Sequence, residues 1–258
     1  NLDLRGIMID APVSGAACTI SNNTISNIFY TTSMTAANYA FRGIDINGSA
    51  NITCGSSGSG NIIGSMSGTG NITLTNNGAS GSLGLVGIYG NTSGNNSIGY
   101  NSMGGLTLNG THTGATTRLI DNIAGTTTID NNTLGSSLAN NILISSNSNL
   151  TAINNSSANG ITISNNTIQN FNHDGTSNGL FVINTSAGNF TFNNNVIKNI
   201  STTSSSGGGA IIQHSGGGTA TVDGNTMSDI TIENTGGGSD FILLLVNSAG
   251  NSIVTNNT

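Results

Sequence analysis

The sequence carries very little charge and few aromatic rings. Of its 258 residues, 5% are charged, 4% are aromatic and none is tryptophan, whereas about 25% of an average soluble domain is charged. The positive side chains are Arg5, Arg42, Arg118 and Lys198, and they face ten carboxylates, which gives a formal net charge of -6. Clusters of positive side chains bind nucleic acids and anionic membranes. We therefore expect no nucleic-acid partner.

Long apolar runs and prolines are also scarce. The longest apolar run, Phe241 to Val246, is far shorter than the roughly 18 to 20 residues that span a bilayer, so we expect no membrane insertion. A single proline, Pro12, argues against a proline-rich stalk. Hydrophobic residues nevertheless make up 34% of the chain and recur at regular intervals. This pattern favours a packed core over a disordered tract.

Asparagine and glycine, with 43 and 38 residues, dominate the composition and recur at fixed places in a repeat. The clearest copies are TISNNTISNI from Thr19, TIDNNTL from Thr128, ITISNNTIQNF from Ile161, FTFNNNVIKNI from Phe190 and TVDGNTMSDI from Thr221. Two looser copies and a partial eighth complete the series. The seven full copies have an asparagine two positions before the apolar residue that follows the turn, and the partial eighth copy has one at the same place: Asn23, Asn61, Asn96, Asn132, Asn166, Asn195, Asn225 and Asn257.

The repeat predicts short strands joined by tight bends. The residue before each asparagine is Asn or Gly, and both tolerate the left-handed backbone of a bend. Apolar residues alternate with period two around it, as Ile161 and Ile163 do before one bend. Three strands per repeat predict an all-β parallel β-helix of about seven coils. The asparagines would form an amide ladder between successive coils.

Some segments fit the repeat less well. Residues 50–110 are irregular, and ITLTNNGA at Ile72 to Ala79 matches the motif out of phase, which leaves the coil register open there. Polar stretches at 29–41, 172–178 and 201–209 are interpreted as loops that leave the rod. Both chain ends stop within a repeat. We therefore expect residues 1–258 to be a single β-helix segment of a longer repetitive protein, continued at its ends or by self-association.

These NNTI-type turns resemble those of the right-handed parallel β-helix repeat proteins, and the resemblance covers nearly the whole chain. The chain is most similar to very large Asn/Gly/Ser/Thr-rich surface proteins that bacteria such as gliding and biofilm-forming Bacteroidota secrete. The resemblance implies an extracellular, cell-surface location. It is weak for function, because the same fold carries polysaccharide lyases, hydrolases and phage tailspikes.

An enzyme on this scaffold would need carboxylates from adjacent coils to meet on one face. The densest acidic region is Asp223, Asp229, Glu233 and Asp240, which would have to converge with His214 or Lys198. Zinc-type CxxC and HExxH spacings and calcium-type nonapeptides are missing, so no metal and no cofactor are expected.

The two cysteines, Cys18 and Cys54, lie 36 residues apart, about one coil. Neighbouring coils bring Cα atoms close enough for a disulfide. Two buried free thiols and an inter-coil disulfide both remain open, and secretion would favour the disulfide.

Two kinds of ligand are considered for the surface. A hydroxyl column of Thr24, Ser97, Thr133, Thr167, Thr226 and Thr258 would suit ice binding, although Ile62 and Val196 interrupt it. Surface glycans would need exposed rings, for which the candidates are Tyr30, Tyr39, Tyr89 and Tyr100.

The leading hypothesis is a non-enzymatic, extracellular structural or adhesive β-solenoid, part of a surface protein or filament. The alternatives are a polysaccharide lyase or glycoside hydrolase on a β-helix scaffold and an ice-binding solenoid. Neutral amides and hydroxyls suit a rod that must withstand changes in salt and pH.

Overall fold

A computed structural model describes residues 4–33, 40–78, 84–111, 113–174, 179–186, 188–204, 208–234 and 240–258. All regular structure within these ranges is β-strand, and none of it is helix, so no helix there could cross a membrane. Strand follows strand in coils of similar length. The described chain therefore builds a solenoid of about seven coils.

The first four coils contain four strands each. These are β1 (Leu4–Ala11), β2 (Ala17–Ile20), β3 (Thr24–Ile25), β4 (Ile28–Thr32), β5 (Phe41–Gly48), β6 (Asn51–Cys54), β7 (Ile62–Gly64), β8 (Ile72–Asn76), β9 (Leu85–Thr92), β10 (Asn95–Gly99), β11 (Ser102–Gly104), β12 (Leu106–Gly110), β13 (Thr113–Asn122), β14 (Thr126–Asp130), β15 (Thr133–Leu134) and β16 (Ile142–Ile144).

The next three coils contain three strands each, and two further strands begin an eighth coil. These are β17 (Asn147–Asn155), β18 (Ile161–Ser164), β19 (Thr167–His173), β20 (Leu180–Thr185), β21 (Phe190–Asn193), β22 (Val196–Ser204), β23 (Gly209–His214), β24 (Ala220–Asp223), β25 (Thr226–Asn234), β26 (Phe241–Val246) and β27 (Ser252–Thr255).

The strands form three parallel sheets that run the length of the stack. Sheet A has the order β1-β5-β9-β13-β17-β20-β23-β26, and sheet B has the order β2-β6-β10-β14-β18-β21-β24-β27. Sheet C contains two short strands from each of the first four coils and the single longer strands β19, β22 and β25 from the next three. All described pairings are parallel, which confirms the all-β parallel β-helix with three sheet faces per coil.

Equivalent apolar residues stack inside the solenoid. On sheet B the buried column is Ile20, Cys54, Ile98, Ile129, Ile163, Phe192 and Val222. On sheet C it is Ile25, Ile63, Met103, Leu134 and Ile168, continued by Ile197 and Met227. Each fully buried side chain of this size contributes about 1.5–3 kcal/mol. These columns belong to one continuous apolar core, to which each coil adds one layer.

The strands extend into stretches that were predicted to be loops. β4 runs to Thr32, β19 runs to His173, and β22 runs to Ser204. Residues 34–39, 175–178 and 205–207 of the same stretches lie outside the described residues. The outward side of a strand accepts Ser, Thr and Asn as readily as a loop does. A prediction based on polar composition alone therefore ends these strands too early.

Candidate functional site

A row of asparagine side chains lines the bend between sheets B and C. Each Nδ2 donates to the Oδ1 of the next asparagine in the row, at 2.8 to 3.0 Å, from Asn23 through Asn61, Asn101, Asn132, Asn166, Asn195 and Asn225 to Asn257. The backbone N–H of each member except the last donates to the same Oδ1, at 2.9 to 3.1 Å. The ladder is thus continuous over the described coils.

One coil shows how completely each amide is used. Asn166 Nδ2 donates to the carbonyls of Ile129 and Ser164, both at 2.9 Å, in addition to Asn195. Its side chain is 1% exposed. A buried amide is tolerated only when its donors and acceptor are satisfied. The row therefore fixes the spacing of the coils and contains no ionisable group.

The prediction that Asn96 belongs to this row was wrong. Asn101 occupies the third position, and Asn96 lies on β10, where it pairs with Ile52 and Thr127 and accepts a hydrogen bond from the Thr92 hydroxyl. The apolar residue after the bend is accordingly Met103 rather than Ile98. The structure places the other seven predicted asparagines in the row.

The backbone of the bend explains why the row asparagine of the third coil was predicted wrongly. In seven of the eight coils the residue before the row asparagine adopts a left-handed backbone, with φ between 53° and 66°. These residues are Asn22, Tyr100, Asn131, Asn165, Asn194, Gly224 and Asn256. Six of these are Asn or Gly, as expected. Tyr100, with φ 60°, is a bulky exception. Asn95 and Asn96 of the sequence GNNSI lie five residues before Tyr100 and Asn101. They resemble the usual bend, although they belong to β10.

The two cysteines are free thiols. Cys18 pairs with Ile52, and Ile20 pairs with Cys54, so the cysteines are offset by two residues on neighbouring strands. This diagonal is roughly 8 Å between Cα atoms, longer than the span of a disulfide. Burial raises the pKa of the Cys54 thiol to about 12. The inter-coil disulfide is therefore not formed in this structure.

The acidic residues proposed for an enzyme do not meet. Asp223 ends a sheet B strand, Asp229 and Glu233 lie on β25 of sheet C, and Asp240 precedes β26 of sheet A. Hydrogen bonds from the Thr255 hydroxyl at 2.6 Å and the Asn256 amide at 2.9 Å lower the pKa of Asp223. Over the described ranges, no three His, Cys, Asp or Glu side chains could share a metal ion.

The two described histidines are buried in the core. His214 stacks on Phe190 with ring centroids 4.9 Å apart, and neither ring nitrogen has a hydrogen-bond partner among the described residues. His173 is held between the Ser148 carbonyl, 2.6 Å from Nε2, and the Thr202 hydroxyl, 3.0 Å from Nδ1. Burial lowers the pKa of both imidazoles. His214 therefore faces the interior, away from the acidic residues with which it was proposed to act.

A network of opposite charges on sheet A was not found from the sequence. Asp45 accepts from the guanidinium groups of Arg5 at 3.1 Å and Arg42 at 3.0 Å, and from the Asn47 amide at 3.0 Å. The guanidinium of Arg42 lies 4.3 Å from the ring centroid of Tyr89. The strand pairing brings these groups together from three coils.

A second ion pair continues the same face. Asp121 accepts from Arg118 at 2.8 Å and from the Asn154 amide at 2.8 Å. The side chains of both Asp45 and Asp121 are fully buried. Both carboxylates already accept hydrogen bonds from neighbouring side chains. Removing the arginine that pairs with Asp121 would leave a buried carboxylate without its counter-ion, which costs about 3–5 kcal/mol.

The tyrosines considered for glycan binding do not share a surface. Tyr30 packs against the core from sheet C, Tyr89 lies beneath Arg42 on sheet A, and Tyr100 occupies the bend after sheet B. Tyr39 and His112 lie outside the described residues. An aromatic platform therefore does not form among the three described rings.

A polar groove of about 300 Å³ runs across several coils of sheet C. Its lining includes Asn140, Asn170, Asn199 and Asp229, each of which has a left-handed backbone at a second bend. Asp229 is the only ionisable group among the lining residues. The groove offers amides and hydroxyls but no acid–base pair.

Hydroxyl groups form columns on two sheets. The predicted column on sheet C runs through Thr24, Ile62, Ser102, Thr133, Thr167, Val196 and Thr226, so Ile62 and Val196 interrupt it as expected. Ser97 was wrongly included and lies on sheet B instead. A different column on sheet B, which contains Ser97, is unbroken over seven coils.

Comparison with known proteins gives no relative: no protein-family model, curated protein or solved structure matches the chain. The similarity to Bacteroidota surface proteins therefore stays a hypothesis.

Proposed function

We propose that the chain is a non-enzymatic structural segment of an extracellular surface protein or filament, a stiff rod that holds other parts of the molecule at a distance. The observation that carries this proposal is the unbroken asparagine row from Asn23 to Asn257. It joins the described coils through neutral hydrogen bonds in a buried position.

Uncharged contacts suit a rod outside the cell. Hydrogen bonds between amides do not titrate over the physiological pH range, and salt screens them far less than it screens exposed ion pairs. The ion pairs on sheet A involve fully buried carboxylates, which salt also screens weakly. The rod should therefore keep its length in surroundings of variable ionic strength.

Spin labels at the two ends of the row test this rigidity. Asn22 and Asn256 are exposed, occupy equivalent bends and lie seven coils apart, which corresponds to about 34 Å at the usual strand spacing. With both cysteines replaced by serine, labels at these positions should give one narrow distance that is the same at low and high salt. A broad distribution, or a distance that shifts with salt, contradicts a rigid rod.

Two further measurements test the rest of the proposal. Antibodies against the chain should label intact cells that express the full protein, and labelling only after permeabilisation contradicts an extracellular location. Incubation with acidic and neutral polysaccharides should release no oligosaccharides. Release that is lost in an Asp229→Asn variant would instead identify an enzyme with its site on sheet C.

A further inference from the structure

The outer face of sheet B carries an unbroken column of hydroxyl groups. The strand pairing aligns Thr19, Thr53, Ser97, Thr128, Thr162, Thr191 and Thr221, one per coil. Ile253 ends the column in the eighth coil. Neighbouring strands of a sheet lie about 4.7–4.9 Å apart. The hydroxyls therefore repeat at that interval along the rod.

A second polar column runs beside the first. The residues two positions earlier lie on the strand in the first four coils and directly before it in the others, about 6.6 Å away for an extended chain. They are Ala17, Asn51, Asn95, Thr126, Gly160, Asn189 and Thr219, followed by Asn251 beside Ile253. Ala17 and Gly160 have no hydrogen-bonding side chain, and every other member carries a neutral amide or hydroxyl. The two columns together make a regular two-dimensional array without a charge.

The array lies on an open face. All residues of sheet B are described, and the connections that flank its strands are short. Thr19 and Thr128 are exposed, and the other five hydroxyl residues are partly exposed between their strand neighbours. Asp130 and Asp223 lie in the adjoining column at the bend, outside the array. A large flat object could thus contact both columns at once.

The chemistry of this face points to a ligand that is itself periodic. A threonine hydroxyl both donates and accepts hydrogen bonds, and its methyl group orders the water beside it. The two columns have no pocket, no cation and no aromatic ring on which a sugar could stack. We infer that the sheet B array binds ice, whose surface water molecules form flat ranks of donors and acceptors with a similar repeat. This activity goes beyond the structural function proposed above.

Paired variants in the same coils test the inference. Thr128→Lys with Thr162→Lys places two hydrated charges in the array. Thr133→Lys with Thr167→Lys makes the same change in the same two coils, but on sheet C. The wild-type chain should show thermal hysteresis and shape ice crystals in a nanolitre osmometer. The sheet B variant should lose both effects, and the sheet C variant should retain them.

A more conservative pair of substitutions distinguishes loss of binding from loss of folding. Thr128→Val with Thr162→Val keeps the side-chain shape while removing two hydroxyls, and circular dichroism checks that all variants keep their strands. This pair should reduce thermal hysteresis without changing the unfolding temperature. Absence of hysteresis in the wild type, or equal loss in the sheet B and sheet C variants, overturns the inference. So does adsorption of the wild type to crystalline cellulose without any effect on ice. The spin-label distance is independent of all these results.

Discussion

Asn61 Nδ2 donates to Asn101 Oδ1 at 2.8 Å across 40 residues, the longest step between consecutive members of the asparagine row. The shortest step, from Asn166 to Asn195, covers 29 residues at 3.0 Å. The hydrogen bond is thus almost the same whatever length of chain separates its partners. The bend, and not the number of residues per coil, determines the geometry of the row.

Replacing Asn101 by alanine should destabilise the chain strongly. Asn101 Nδ2 donates to the Cys54 and Gly99 carbonyls as well as to Asn132, and its Oδ1 accepts from Asn61. Each buried group that loses its partner costs about 1–3 kcal/mol, so the free energy of unfolding should fall by roughly 3–5 kcal/mol. Urea unfolding measures this loss. The exposed Asn95→Ala variant is the control and should change stability little; equal losses in the two variants would contradict the assignment of Asn101 to the row.

Tyr100 should be a position at which asparagine improves stability. Its backbone has φ 60°, and its side chain is 41% exposed. Asparagine adopts this conformation at lower cost, so Tyr100→Asn should raise the free energy of unfolding by about 1 kcal/mol. The reciprocal change Asn131→Tyr, at the equivalent bend of the next coil, should lower it by a similar amount. The melting temperatures of both variants test this prediction. If both rise or both fall, backbone strain at this bend does not explain the changes in stability.

The two thiols should react very differently. Cys54 is fully buried and its pKa is raised to about 12, whereas Cys18 is partly exposed. Only the thiolate is an effective nucleophile. A maleimide at neutral pH should therefore label one thiol in the folded chain and two in urea, with Cys18→Ser abolishing the folded-state reaction. Mass spectrometry that finds no free thiol before denaturation would instead reveal a disulfide and contradict the pairing of Cys18 with Ile52.

Acid should destabilise the chain through its buried histidines. Burial lowers the pKa of His214 and His173 below 6.5 in the folded state, so the unfolded chain binds protons first as the pH falls. Stability from this source is complete above the unfolded pKa and declines as the pH drops through about 6.5 towards the folded values. Urea unfolding at pH 8 and pH 5 should show the difference.

A histidine variant separates this effect from general acid denaturation. His214→Leu removes one titrating group while keeping an apolar contact with Phe190. The loss of stability between pH 8 and pH 5 should be smaller in this variant than in the wild type. A wild-type chain that is equally stable at both pH values would show that the histidines do not limit acid stability.

Local signals predicted much of the fold. Pairs of Asn or Gly residues mark most bends, and the period-two alternation of residues such as Ile161 and Ile163 marks the strands that enter them. The third coil was misassigned because Asn95 and Asn96 imitate a bend while Tyr100 hides the real one. Nothing in the local sequence distinguishes the two until the strands are paired.

The surface features depended on that pairing. Arg5 meets Asp45 from the next coil, and these residues are 40 positions apart in the sequence. The sheet B hydroxyl column contains Ser97 only when Asn101, four residues later, is taken as the row asparagine. A shift of five residues in one coil therefore concealed the array, although its threonines are present in every other complete copy of the repeat.

The near-constant amide contact has a consequence for how such a rod can change its length. A deletion or duplication that starts and ends at equivalent asparagines, for example from Asn166 to Asn195, removes or inserts one whole coil. The cross-section of the solenoid stays the same. Recombination between repeats would then yield shorter and longer versions from one gene. The length of the rod could therefore evolve in steps of one coil, without a change in the packing of the core.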